Sequence, residues 1–424
     1  MPFHERQHNY TFPATIRCVD RNSRFLLKSF RKYYLANAPP MPPRYGRREF
    51  GFMFFDRDYV QRHMGFQTPA DLRRFMVGQV PSHSYYSTAY YRRPGAPTMD
   101  EKEWMGADLI FDLDADHLEG ADEMTYAGML EEVKKEMIRL IDTFLLDDLG
   151  FPEEGIQIVF SGGRGYHAHV SLQSVLGLGA QERREIVDYV TSTGLDVDRL
   201  FPAVGTANKV SDTSDGRRAS VRFNREIPPK NSEGWKKRAR EGFEVLVEDV
   251  CTLPPQELRS KYPTLGKKNA STVANLSNDL RKHRKFIMEN DRMNPMDTFR
   301  QELLVETMKE DVVPRLAGEV DEPVTADIKR LIRLPGSVHG RTGLRVVPLT
   351  RAELTGFDPF LMAVPEEYSD EPVQITMRRP YEVTLKGERF KLNGTVEVPE
   401  YAAVFLVGRR EAEIGDGSPD PGPF

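Results

Sequence analysis

The sequence predicts a mixed α/β (α+β) protein, with a core built around a β-sheet and a mostly helical subdomain inserted into it. Three observations lead there. The segments REFGFMFF, SYYSTAYY and ADLIFDLDAD alternate aromatic or β-branched residues with polar ones, the period of two expected of strands. From Asp122 to Leu149, Leu130, Val133, Met137, Ile141 and Phe144 instead recur at three- and four-residue steps, which suits an amphipathic helix covering a sheet face. Between residues 205 and 310 the texture becomes basic and helical.

Taken in order, residues 1–22 read as a loosely ordered N-terminal extension. The first part of the core spans 23–204. It opens with a short helix, Arg24 to Ala36, stopped by the proline-rich APPMPPRYG. The three alternating strands and the long helix follow. IQIVF, the tight turn SGGRG and YHAHVSL then form a hairpin with a glycine-loosened turn, and a second helix lies near Ala180 to Thr193. The insertion, 205–310, has loops at SDTSDGRR and EIPPKNSEG and helices around Glu233–Leu246 and Ser277–Met288. In the second part of the core, 311–410, Thr325 is placed to cap a helix starting at Ala326 and running through Ile328, Leu331 and Ile332. Strands are expected at PYEVTL, RFKLNG and AAVFLV, and residues 411–424 have the composition of a disordered tail.

Composition narrows the function classes. The chain has 424 residues, 39% hydrophobic and 29% charged, a soluble globular balance that excludes collagen-like or wholly disordered chains. No apolar run reaches membrane-spanning length, and MPFHERQHNY lacks the apolar stretch of a signal peptide. Two cysteines, Cys18 and Cys251, build neither a disulfide framework nor a CxxC zinc site, so a cytoplasmic location is expected. Net charge is −5, yet Phe201 to Arg300 holds 20 basic against 13 acidic residues. An acidic body with a basic middle suits an enzyme that touches a polyanion on one face, although an ordinary solvated helical face has the same composition.

Three constellations carry chemistry. In Asp108-Leu-Ile-Phe-Asp-Leu-Asp114, a strand points Asp112 and Asp114 to one face, roughly 6.6 Å apart along the chain. They can converge on two divalent ions about 3.5–4 Å apart, the spacing of two-metal phosphoryl-transfer sites, and a cation balances their mutual repulsion. Two acids on a solvent-facing strand give the same pattern. In Ser161-Gly-Gly-Arg-Gly-Tyr-His167, glycines let backbone N–H groups approach an anion while Ser161 and Arg164 add donors; a bare turn with a surface arginine is the plainer alternative. The third, Arg333-Leu-Pro-Gly-Ser-Val-His339-Gly-Arg341, sets a histidine between two guanidinium groups, a phosphate grip unless the histidine is only packing.

Together FDLDAD, SGGRGYH and DEPVTADIKRLIRLPGSVHGRTG, in this order and at these intervals, resemble the catalytic small subunit of archaeal and eukaryotic-type DNA primase. The resemblance runs from about Arg24 to the final strands. It implies a primase-superfamily core and a DNA-directed nucleotidyltransferase making RNA primers on single-stranded DNA from ribonucleoside, and to some extent deoxyribonucleoside, triphosphates during replication. A stand-alone primase-polymerase of repair or damage tolerance shares the fold, but such proteins usually carry fused modules that this chain lacks. The resemblance also implies a primase large subunit as partner, no membrane, association with the nucleoid, and two Mg2+ or Mn2+ ions. Carried over by position, Asp112, Asp114 and Asp321 match the metal-binding aspartates. Ser161, Arg164 and His167 match nucleotide-phosphate contacts of the glycine turn, and Arg333, His339 and Arg341 a second triphosphate set. Glu49 and Arg62 match more distant active-site positions. Asp327, by contrast, falls in the first turn of the helix expected from Ala326, where a negative charge has a structural reason to be.

Two departures stand out. Many relatives carry a second arginine where this chain has Gly163, so one phosphate contact is missing or supplied elsewhere. Many also hold zinc in a knob of cysteines and histidines after the catalytic strand, where this chain reads HLEGADEMTYAGM. His117 alone cannot hold a tetrahedral ion, so structural zinc is not expected. Elemental analysis of the dialysed protein should therefore find no stoichiometric zinc. One zinc per chain would show that the segment after Asp116 does hold a metal.

Overall fold

Strand-forming segments assemble into two four-stranded antiparallel sheets in the computed structural model, which describes residues 19–115, 120, 123–213 and 216–415. The chain divides into two compact units. One comprises Met1–Lys134, Gly155–Gly179 and Asp327–Phe424, and the other Lys135–Glu154 and Ala180–Ala326. The mostly helical unit thus takes in more than the 205–310 stretch that stands out by composition.

Both large sheets belong to the first unit. One runs, edge to edge, Leu331–Arg333, His83–Ser87, Phe50–Phe54 and Arg57–Met64. The other runs Val347–Leu349, Ile156–Phe160, Gly165–Val170 and Leu109–Asp114. We call the last two the histidine strand and the aspartate strand. IQIVF and YHAHV form the expected antiparallel hairpin. The aspartate strand pairs antiparallel with the other side of the histidine strand, with Asp112 opposite His167 and Asp114 opposite Gly165. This pairing is unusually close. A Cβ on Gly165 would lie 2.1 Å from the Leu113 carbonyl oxygen and 3.0 Å from the Asp114 Cα, so only glycine fits.

A buried ion pair links the two sheets. Arg48, just ahead of Phe50–Phe54, donates from Nη2 to Asp108 Oδ2 at 2.6 Å, and Asp108 immediately precedes the aspartate strand. The remaining guanidinium N–H groups donate to the carbonyls of Pro43, Ser87 and Thr88 and to the Tyr90 hydroxyl, which itself donates to Asp108 Oδ1 at 2.7 Å. With its hydrogen bonds met, a buried charge pair of this kind costs little to keep and much to break from one side.

Several local expectations change. The first helix is Arg21–Ala36, starting earlier because the Asp20 carboxylate accepts the Ser23 N–H. The long helix is α-helical over Tyr126–Arg139 and π-helical over Leu140–Asp148; Asp122 lies outside the described residues. The second unit is not helical throughout, since Ala203–Thr213 and Gly216–Arg225 pair as a long hairpin around the segment read as a loop. AAVFLV is no strand but part of the helix Glu400–Gly408, buried on every face. A uniformly apolar run has no periodicity to tell the two apart. The expected tail begins too early, because Ala412–Ile414 pairs with Pro372–Met377; residues 416–424 lie outside the described ones, as do 1–18.

The helix expected from Ala326 is also displaced. It covers Glu322–Ala326, with Thr325 inside it, and the chain then turns into the strand Leu331–Arg333. Pro323 is accommodated because the first helical turn needs no N–H from it. Asp327 therefore sits in the turn, its Oδ1 accepting the Lys329 N–H at 2.8 Å. Asp321 directly precedes the helix, its carbonyl accepting the N–H groups of Val324 and Thr325.

Replacing Gly165 with alanine should force the aspartate strand away from its neighbour, at a cost of about 1–3 kcal/mol or more. Urea unfolding measures it, and an unchanged midpoint would show that the two strands are not this closely apposed.

Candidate active site

Alternation along Leu109–Asp114 buries Leu109, Phe111 and Leu113 and leaves the Asp112 and Asp114 side chains 20% and 37% exposed. Ile110, on the same strand face, is buried too, so the open part of that face is its C-terminal half. Across the pairing, His167 Nε2 faces Asp112 Oδ1 at 3.3 Å, and Arg164 Nε faces Asp114 Oδ1 at 3.5 Å. Burial and neighbouring positive groups hold His167 neutral, far below the usual histidine value. A neutral imidazole that offers Nε2–H to Asp112 leaves that carboxylate its full charge.

Residues 161–165 wrap around one hydroxyl. Ser161 Oγ accepts the N–H groups of Gly163 and Gly165 at 3.2 and 3.3 Å, and the Ser161 N–H donates to the Gly165 carbonyl. Ser161 therefore shapes the turn, and its own O–H is the donor it can offer an anion. The turn's carbonyls are held from outside. Thr342 Oγ1 donates to the Gly162 carbonyl and Tyr126 Oη to that of Gly163, both at 2.5 Å. Gly162, at φ +74°, has the His339 Cβ where its own would be, 2.8 Å away.

His339 thus sits directly against the glycine turn. Its Nε2 accepts from Arg333 Nη2 at 3.2 Å, and its Nδ1 lies 3.3 Å from Thr342 Oγ1. Arg333 stacks over Tyr85 and donates from Nη1 to His83 Nδ1 at 2.6 Å, an atom that also accepts the Gly340 N–H. Both histidines act as acceptors toward Arg333, so neither can be charged. Burial, then Arg333 and Arg341, pull His83 down to about 2. Burial, then Arg333, His83, Arg341 and Arg164, hold His339 well below its ordinary value. Arg341 is exposed on the same loop.

The structure therefore brings together Asp112, Asp114, Ser161, Arg164, His167, Arg333, His339 and Arg341. Glu49 and Arg62 form a cluster of their own. The buried Glu49 carboxylate pairs in a fork with Arg62 at 3.1 Å on each oxygen, accepts the His63 N–H and lies 2.6 Å from the buried Lys102 Nζ. Burial works to raise its pKa, but these partners hold it below the ordinary value. Asp321 belongs to the second unit. Sequence reasoning missed His83, Thr342 and Tyr126. His83 has a faint signal, sharing a strand face with Tyr85, whereas Thr342 and Tyr126 act through hydrogen bonds that no spacing announces.

Among the described residues no group of three or more histidine, cysteine or acidic side chains gathers into a closed cage. Two adjacent, open carboxylates are nevertheless the donor set that Mg2+ or Mn2+ uses, since such ions bind through one or two carboxylates, substrate phosphates and water. The residue stretch HLEGADEMTYAGM lies partly outside the described residues, His117 included.

Because His83 and His339 are neutral in the fold but titrate near 6.5 when unfolded, the unfolded chain takes up protons that the native one refuses. Stability should fall as pH drops below about 6.5, before the carboxylates titrate. The urea midpoint at pH 5.5 should be lower than at pH 7.5; equal midpoints would mean that these imidazoles are not buried against Arg333.

The family model for the DNA primase small subunit matches residues 111–351, which span all three motifs. The chain is 42% identical over 404 residues to the DNA primase small subunit PriS of Methanocella arvoryzae, covering 93% of this chain and 99% of that protein. It is 42% identical over 407 residues to that of Methanothrix thermoacetophila, with coverage of 93% and 99%. Identity to that of Methanococcoides burtonii is 39% over 403 residues, with coverage of 94% and 100%. Matched over nearly their whole length by relatives of one kind, these residues mark the chain as a member of the DNA primase small subunit family.

Proposed function

We propose that the chain is the catalytic subunit of a DNA primase, joining ribonucleotides into short primers on a single-stranded DNA template. The observation that carries this reading is the open Asp112–Asp114 pair flanked by Arg164, Arg333 and Arg341. Acids for cations and arginines for a triphosphate, side by side, are what nucleotidyl transfer requires. A nuclease would account for the acids but not for so many triphosphate-suited cations. The near-complete coverage of small-subunit relatives favours a replication primase over a stand-alone repair polymerase.

Asp112 and Asp114 would hold the divalent ions, with Asp321 as a third ligand on the strength of the family resemblance. Magnesium or manganese, when bound, supplies charge neutralisation and Lewis acidity at the reacting phosphate. The protein's own contribution is orientation. His167 fixes the rotamer of Asp112, and Arg164, with the Ser161 hydroxyl, would take phosphate oxygens at the glycine turn. Arg333 and Arg341 would neutralise the triphosphate from the facing loop. His339 keeps Arg333 in place by accepting its N–H, and would meet phosphate through that anchored guanidinium. Glu49, locked by Arg62 and Lys102, would support the site's frame.

The name small subunit implies a large partner, which would supply template and initiating-nucleotide contacts that a chain of net charge −5 is poorly equipped to make alone. No helix among the described residues is long and apolar enough to cross a membrane. Cytoplasmic action at the nucleoid follows from the substrate.

Asp112→Asn and Asp114→Asn should abolish nucleotide incorporation on a single-stranded template while leaving the melting temperature nearly unchanged. Asp321→Ala should do the same, and Asp327→Ala should keep most activity while losing a little stability. An active Asp112→Asn/Asp114→Asn double variant would end the two-metal reading. Activity lost in Asp327→Ala but kept in Asp321→Ala would move the third ligand.

A further inference from the structure

The helix Glu400–Gly408 ends between the two basic motifs. At Gly408 a Cβ would lie 3.1 Å from both the carbonyl carbon and oxygen of Arg341 and 3.4 Å from the Thr342 nitrogen, so the helix end presses on the loop that carries Arg341. The next residue, Arg409, lays its guanidinium 3.9 Å above the Tyr126 ring, and the Tyr126 hydroxyl donates to the Gly163 carbonyl of the glycine turn. Arg409 thus follows the residue that packs on the Arg341 loop and stacks on the ring that holds the glycine turn. Arg164 and Asp114 share its electrostatic surroundings, all three acting on the Tyr126 hydroxyl.

Its partners set it apart from its neighbours. Arg378 and Arg379 are engaged by Glu413 and Glu411. Among the described residues no carboxylate pairs with Arg409; its Nε is buried without a hydrogen-bond acceptor, and its contacts are the rings of Tyr126 and Phe405. A half-buried guanidinium with an unmet donor is costly unless something anionic arrives to meet it. A helix C-cap arginine would gain from the helix dipole, and Arg139, Arg238 and Arg345 likewise bury an Nε without an acceptor; what distinguishes Arg409 is its place over the Tyr126 ring, whose hydroxyl fixes Gly163.

We infer that Arg409 is a further phosphate-binding residue, delivered by the C-terminal helix to the triphosphate of the incoming nucleotide, where Gly163 brings no cation of its own. This rests on the nucleotide site proposed above. The Tyr126 ring serves as its platform, holding the glycine turn by its hydroxyl and the guanidinium by its face.

Equilibrium titration of the full chain with ATP, ADP and AMP in the presence of Mg2+ tests it. Arg409→Gln should weaken ATP binding about tenfold or more, as loss of a charge-assisted hydrogen bond does, with the loss shrinking from ATP to AMP. Arg409→Lys should recover most of it. If the parent binds ATP and Arg409→Gln binds it equally well, the inference falls and the nucleotide site stands. Should the parent bind no ATP, both fall. If Arg409→Gln does not fold, the parent itself decides: ATP should slow modification of Arg409 by phenylglyoxal, mapped by mass spectrometry, and an unchanged rate would overturn the assignment.

Discussion

The missing side chain at Gly165 is the constraint on which the site depends. A Cβ there would overlap the Leu113 carbonyl, so the aspartate strand can lie where it does only against a glycine. Strand register then follows without further choice, because a slip of one residue would turn every side chain to the other face. With Asp114 opposite Gly165, Asp112 must face His167, and Arg164, one residue before the strand, must reach Asp114. The Arg48–Asp108 pair fixes the same strand from its other end and ties it to the neighbouring sheet. Geometry of the acids is thus decided by backbone packing, and their side chains inherit it.

Charge in the site is kept separated by neutral histidines. His83 and His339 accept hydrogen bonds from Arg333 where carboxylates could have done so. A carboxylate would have cancelled the arginine's charge, whereas an imidazole holds the guanidinium in place and leaves its charge for a ligand. His167 does the converse for Asp112, giving it a donor without a cation. The result is an acidic pair beside a basic cluster, in which Arg333 keeps its charge on imidazole supports while Asp114 faces Arg164. Glu49 shows the opposite arrangement, with Arg62 and Lys102 quenching a buried carboxylate.

Much of this was legible in the amino-acid order. Alternation in DLIFDLDAD announces a strand with two acids on one face, and the glycines of SGGRG announce a tight turn, because both signals are local and follow from side-chain period or backbone freedom. What stayed hidden depends on tertiary context. AAVFLV has no polar residue to mark a face, so a fully buried helix reads like a strand. Pro323 suggests a helix boundary, yet it fits the first turn of a helix lying four residues earlier than the Thr325 cap suggests. That shift also removes one argument for Asp321, since a residue just ahead of a helix has a structural reason to be acidic. His83, more than 240 residues from Arg333, becomes visible only when their strands pair edge to edge.

Crystals of the protein grown with Mn2+ and a non-hydrolysable nucleoside triphosphate would test the central claim most directly, through the anomalous signal of the manganese. The account predicts manganese coordinated by the carboxylates of both Asp112 and Asp114, with the triphosphate lying across Arg164 and Arg333. Manganese bound elsewhere, with no metal on Asp112 or Asp114, would contradict it.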